Sequence, residues 1–99
     1  MISPQLTKKK EQYAEDKVLT LDPHSDSYKL VVYNDDHNTF EWVIESFVKV
    51  LKHSTVQAEQ LSYLIHFKGK ATVKSGTKNQ LQKYKDALID RGLSAVIES

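Results

Sequence analysis

The sequence predicts an α+β domain, a small sheet covered on one face by helices. Three observations point there. The β-branched and aromatic run Tyr28-Lys29-Leu30-Val31-Val32-Tyr33 reads as a strand with at least one buried face. Three helix-start signals follow, Asn38 with Glu41, Ser54 with Gln57 and Thr77 with Gln80, in which a short polar cap precedes an acid or amide by three positions. Two shorter runs, Gly69 to Lys74 and Leu93 to Ile97, supply the remaining strands, so the order is strand, helix, helix, strand, helix, strand.

The first helix, about residues 39 to 52, sets Phe40, Val43, Ile44, Phe47, Val48 and Leu51 on one stripe, with Asn38 as its expected N-cap. The second, 55 to 67, carries Ala58, Leu61, Leu64 and Ile65 on one side. The third, 78 to 91, carries Leu81, Tyr84, Leu88 and Ile89, and Gly92 sits where a left-handed cap is wanted. The run after Gly92 is expected at a sheet edge. Residues 1 to 27 are polar, contain Lys8-Lys9-Lys10, Pro4 and Pro23, and keep no sustained apolar period. They read as a flexible N-terminal extension, with the folded domain over residues 28–99.

Composition narrows the function classes. The chain has 99 residues and a formal charge of +1, from 14 Lys and Arg against 13 Asp and Glu, which is no electrostatic footprint for nucleic acid. Lys68, Lys70, Lys74, Lys78, Lys83 and Lys85 read as a solvated face. No cysteine is present, so no disulfide or thiolate metal site is expected, and a reducing cytoplasm fits. The four histidines, His24, His37, His53 and His66, lack paired metal-ligand spacing. No metal or cofactor is therefore expected. The start has no apolar signal region and no window approaches a membrane span, so no membrane partner is expected either.

The chemistry concentrates in Asn34-Asp35-Asp36-His37-Asn38, a polar turn between the first strand and the first helix. Its acceptors suit a primary ammonium, and His66 at the end of the second helix could add a ring nitrogen. The same residue types are common in turns because their side chains bond local N–H groups, and a histidine at a helix C-terminus complements the dipole. Capping is the commoner use, and the turn alone does not separate the two. An acid–base pair of Asp35 or Asp36 with His66 would need a nucleophile or phosphate loop, and none accompanies it.

Taken together, Tyr28 to Asp36 and the later Ile65-His66-Phe67-Lys68-Gly69-Lys70-Ala71 resemble the ClpS family of N-degron adaptors. The two anchors, the Asn-Asp-Asp turn and the His-x-x-Gly-Lys-Ala segment, stand at the family's separation, and the resemblance spans residues 28 to 98. It implies a three-stranded antiparallel sheet with three helices packed on one face, similar to the C-terminal domain of the ribosomal stalk protein. It also implies a non-enzymatic adaptor that binds proteins beginning with Leu, Phe, Tyr or Trp and delivers them to a ClpA-like or ClpC-like AAA+ unfoldase. By that resemblance Asn34, Asp36 and His66 hold the free α-amino group, Asp35 supports the turn, and Asn38, Phe40, Val43, Ser62, Ile65 and Leu93 wall the pocket for the first side chain. The alternative is a docking module of the stalk-protein type with no amine pocket.

This chain departs from the family pattern at several places. Asn38-Thr39-Phe40 replaces the usual Thr-Pro-Met, and Ser62 stands where Met is frequent. Phe40 is rigid where Met adapts, which implies continued exclusion of β-branched first residues, whereas Ser62 opens room for Trp. At the start of the third helix, where familiar members dock on the unfoldase through a Glu and a Lys, the chain has Asn79 and Tyr84. Those contacts do not carry over.

Overall fold

The computed structural model describes residues 27–99, so all but the last residue of the expected extension lies outside the described residues. The elements are β1 (Tyr28–Tyr33), α1 (Phe40–Leu51), α2 (Thr55–Lys68), β2 (Lys70–Gly76), α3 (Lys78–Asp90) and β3 (Ser94–Glu98). They form an α+β layer, a three-stranded sheet of order β2-β1-β3 with both pairings antiparallel. β1 is central, and β3 lies at an edge as its short run suggested. A β-bulge shifts the β1–β2 register between Leu30 and Val31.

Alternation along the strands explains the layering. Tyr28, Leu30 and Val32 of β1, Ala71 and Val73 of β2, and Ala95 of β3 face the helices and join Phe47, Leu51, Ala58, Ile65, Leu81, Leu88 and Leu93 in one buried core. Phe47, Leu30, Leu81 and Leu88 are fully buried, and truncating any of them to Ala would cost about 2–5 kcal/mol. On the outer face the Tyr33 hydroxyl donates to Glu98, and that carboxylate raises the phenol above its ordinary value, with partial desolvation adding to the effect.

Two helix starts match their sequence signals. The Ser54 side chain accepts from Gln57 N–H at 3.1 Å, and Thr77 with Gln80 forms a full reciprocal capping box. The third does not. Thr39, not Asn38, caps α1, its hydroxyl accepting from Trp42 N–H at 3.1 Å, because the Asn38 amide is committed elsewhere. Two other expectations fail on burial. Helical spacing places Leu64 and Ile89 on the apolar sides of α2 and α3, yet both are exposed; Ala58 with Ile65, and Leu81 with Leu88, suffice to seat the two helices. β2 starts one residue later than the sequence suggested, since Gly69 is the left-handed cap of α2, with φ +92° and its N–H on Ile65 O at 2.9 Å.

Among the described residues no helix is long and apolar enough to cross a membrane. No group of three or more potential metal ligands gathers among them.

Candidate functional site

The site lies where the β1–α1 turn meets the end of α2 and the α3–β3 corner. Its frame is built from backbone first. Asn34 N–H donates to Gly69 O at 2.8 Å, which ties the exit of β1 to the cap of α2. At the other side α3 ends in a Schellman motif: Gly92 N–H reaches Ile89 O at 2.8 Å and Leu93 N–H reaches Leu88 O at 3.0 Å. Gly92 takes φ +89°, a left-handed conformation that a side chain would strain.

Asp35 knots these pieces together. Its Oδ1 accepts from His37 N–H at 3.0 Å, Asn38 N–H at 3.2 Å and the Asn38 amide at 2.9 Å; its Oδ2 accepts from the Asn38 amide at 3.0 Å and Ser94 Oγ at 3.1 Å. The Asn38 amide also donates to Gly92 O at 2.9 Å. Partial burial alone would push the Asp35 carboxyl up; the bonds from Asn38, His37 and Ser94 outweigh it and hold the group below its ordinary value. Asp35 is thereby spent on structure.

The neighbouring acceptors are not. Among the described residues the side chains of Asn34 and Asp36 make no hydrogen bond or ion pair, and His66 makes only an edge-on ring contact with Phe67 at 4.9 Å. All three are exposed and line the same cavity, of about 550 Å³. Its apolar wall is formed by Val32, Phe40, Val43, Ile65 and Leu93. Ser62 adds to it, because its hydroxyl turns back to Ala58 O at 2.8 Å and leaves a small satisfied surface. Every residue singled out from the sequence, Asn34, Asp35, Asp36, Asn38, Phe40, Val43, Ser62, Ile65, His66 and Leu93, lines this one cavity.

Sequence reasoning missed four lining residues, Val32, Tyr33, Tyr63 and Phe67. It also missed the clamp that fixes the corner. Trp42 Nε1 donates to Arg91 O at 2.8 Å, the Arg91 guanidinium lies 4.1 Å over the Trp42 ring, and Arg91 donates to Ser46 Oγ at 2.8 Å and Glu45 at 3.2 Å. Trp42 and Arg91 are 49 positions apart, and no local pattern signals such a pair.

Residues 23–95 match the family model described as ATP-dependent Clp protease adaptor protein ClpS. The chain belongs to the ClpS family. An ATP-dependent Clp protease adapter protein ClpS from Thermosynechococcus vestitus is 35% identical over 72 residues, covering 72% of this chain and 77% of the relative. A ClpS adapter from Citrobacter koseri is 36% identical over 61 residues, covering 62% of this chain but only 58% of the relative. The fold is also similar to the solved structure of Agrobacterium tumefaciens ClpS2 bound to L-phenylalaninamide, with a TM-score of 0.69 at 22% identity over 72% of this chain and 93% of that one. ClpS membership makes this chain a Clp protease adaptor by family, and the three-helix, three-stranded fold agrees with that neighbour.

Proposed function

We propose that this cavity captures the free N-terminus of proteins beginning with a bulky hydrophobic residue, Leu, Phe, Tyr or Trp, and that the chain hands them to a ClpA-like or ClpC-like AAA+ unfoldase in the cytoplasm. The observation that carries the reading is one cavity with three uncommitted polar side chains, Asn34, Asp36 and His66, beside an apolar wall. A primary ammonium donates three hydrogen bonds, and these three side chains supply three acceptors for it. An internal peptide bond presents no such group. The ligand in the ClpS2 structure, L-phenylalaninamide, carries the same pair of features, a free α-amine and an apolar side chain.

Magnitudes suit a carrier that must release. Burying a Leu or Phe side chain contributes about 1.5–3 kcal/mol and each charge-assisted bond about 1.5–3 kcal/mol, against association costs of about 4 kcal/mol or more. The sum corresponds to weak to micromolar binding. No bond is made or broken in this role, so the chain acts as an adaptor and not as an enzyme. Midway along α3, Lys74 and Lys83 lie over the Tyr84 ring at 5.0 Å and 5.1 Å, so an unfoldase contact on this helix would meet a cationic, aromatic patch.

Fluorescence anisotropy of a labelled peptide beginning with Leu or Phe, compared with its N-acetylated form and one beginning with Ala, tests the proposal. Saturable binding of the free Leu or Phe peptide alone is expected. Equal binding of all three, or none, would favour a docking module without an amine pocket.

A further inference from the structure

α2 is apolar around much of its circumference, and its outward residues include two rings that no core packing explains. Tyr63 is 54% exposed and Phe67 72% exposed. The two stack in parallel, with centroids 6.0 Å apart and planes 7° apart, and Tyr63 continues onto Phe40 at 4.8 Å. An i,i+4 ring pair contributes only modestly to a helix, while leaving Phe67 in water forfeits its burial energy. The three rings form a continuous ladder from the cavity wall out to its mouth, since all of them line the cavity.

We infer that this ladder is a subsite for the second residue of the bound N-terminus and that it favours a large apolar or aromatic side chain there. The inference rests on the proposed capture of N-termini. Phe67 directly follows His66, so the outer ring stands one position from the group assigned to the amine. Successive Cα atoms are about 3.8 Å apart and side chains of an extended segment alternate in direction. A peptide whose first side chain points into the cavity therefore keeps its second residue at the rim with its side chain turned outward, alongside Phe67, the more exposed ring of the Tyr63–Phe67 stack. Continuity of the ladder with the wall selects this occupant over an unrelated protein surface.

Competition anisotropy with L-phenylalaninamide, Phe-Ala-amide and Phe-Phe-amide on the full chain separates the two readings, because the first probe has no second residue. Wild type is expected to bind all three, with Phe-Phe-amide about fivefold tighter than Phe-Ala-amide. Phe67→Ala should bring that ratio to about one, and Phe67→Trp should restore it. Binding of L-phenylalaninamide with equal affinities for the two dipeptide amides would overturn the subsite alone, as would a ratio that survives Phe67→Ala. Failure of wild type to bind L-phenylalaninamide would overturn the N-terminus reading beneath it. Sedimentation of the unliganded chain as a dimer that Phe67→Ala dissolves would assign the rim to a second copy and overturn the proposal.

Discussion

Asp35 and Asp36 are adjacent in sequence and opposite in use. The first is drawn inward, takes bonds from both backbone and side chains and joins the β1–α1 turn to β3; the second stays in solvent with no partner among the described residues. The contrast shows how a turn divides labour: one carboxylate holds the loop so that the next can be presented without collapsing onto local N–H groups. A capping role and a binding role compete for the same residue types, and here capping takes Asp35 and leaves Asp36 available for the role proposed above.

The contrast can be broken from either side. Replacing Asp35 by Ala strands its donors and should cost about 3 kcal/mol of stability in urea unfolding, with loss of peptide capture as a secondary result. A loss under about 1 kcal/mol would show that the knot is not a structural element. Asp36→Ala should do the reverse, weakening binding of a Leu or Phe peptide by about 10- to 100-fold while changing the unfolding free energy by less than about 0.5 kcal/mol. Full-strength binding by that variant would remove the amine from this end of the cavity.

Acid sharpens the comparison. The folded-state Asp35 carboxyl lies below its ordinary value, so its stabilisation is present above the unfolded-state value near 3.9 and fades as pH falls through the folded one. Unfolding curves of wild type and Asp35→Asn should differ clearly at pH 7 and draw together progressively as pH falls below about 4. A gap that does not narrow at all as pH falls below about 4 would mean that shape, not charge, holds the turn. The smallest effect concerns the cap. Thr39→Ala should cost about 1 kcal/mol, the loss of one N-terminal hydroxyl acceptor. A negligible loss would return the capping role to Asn38.

Much of this was legible in the sequence because the signals are local. β-Branched alternation marked β1, polar caps with Gln three positions on marked α2 and α3, and Gly92 marked the end of α3. The cavity residues were legible through two separated motifs read jointly. What failed was long-range. Asn38 left the cap of α1 because it found Asp35 and Gly92, the latter 54 positions away. Leu64 and Phe67 sit on α2 with helical spacing that cannot say which apolar residues the core has room for. The Trp42–Arg91 clamp joins two residue types that a sequence pattern reads as surface.

The bonds from Asn38 to Gly92 and from Ser94 to Asp35 have a consequence in time. A ribosome making this chain releases Asp35 and Asp36 well before residues 92 to 94, so through most of synthesis the turn lacks the carbonyl and hydroxyl that shape it. The turn therefore takes its final shape only after the α3–β3 corner has been made. Local sequence places the two carboxylates, but residues more than fifty positions later set the geometry in which they are held.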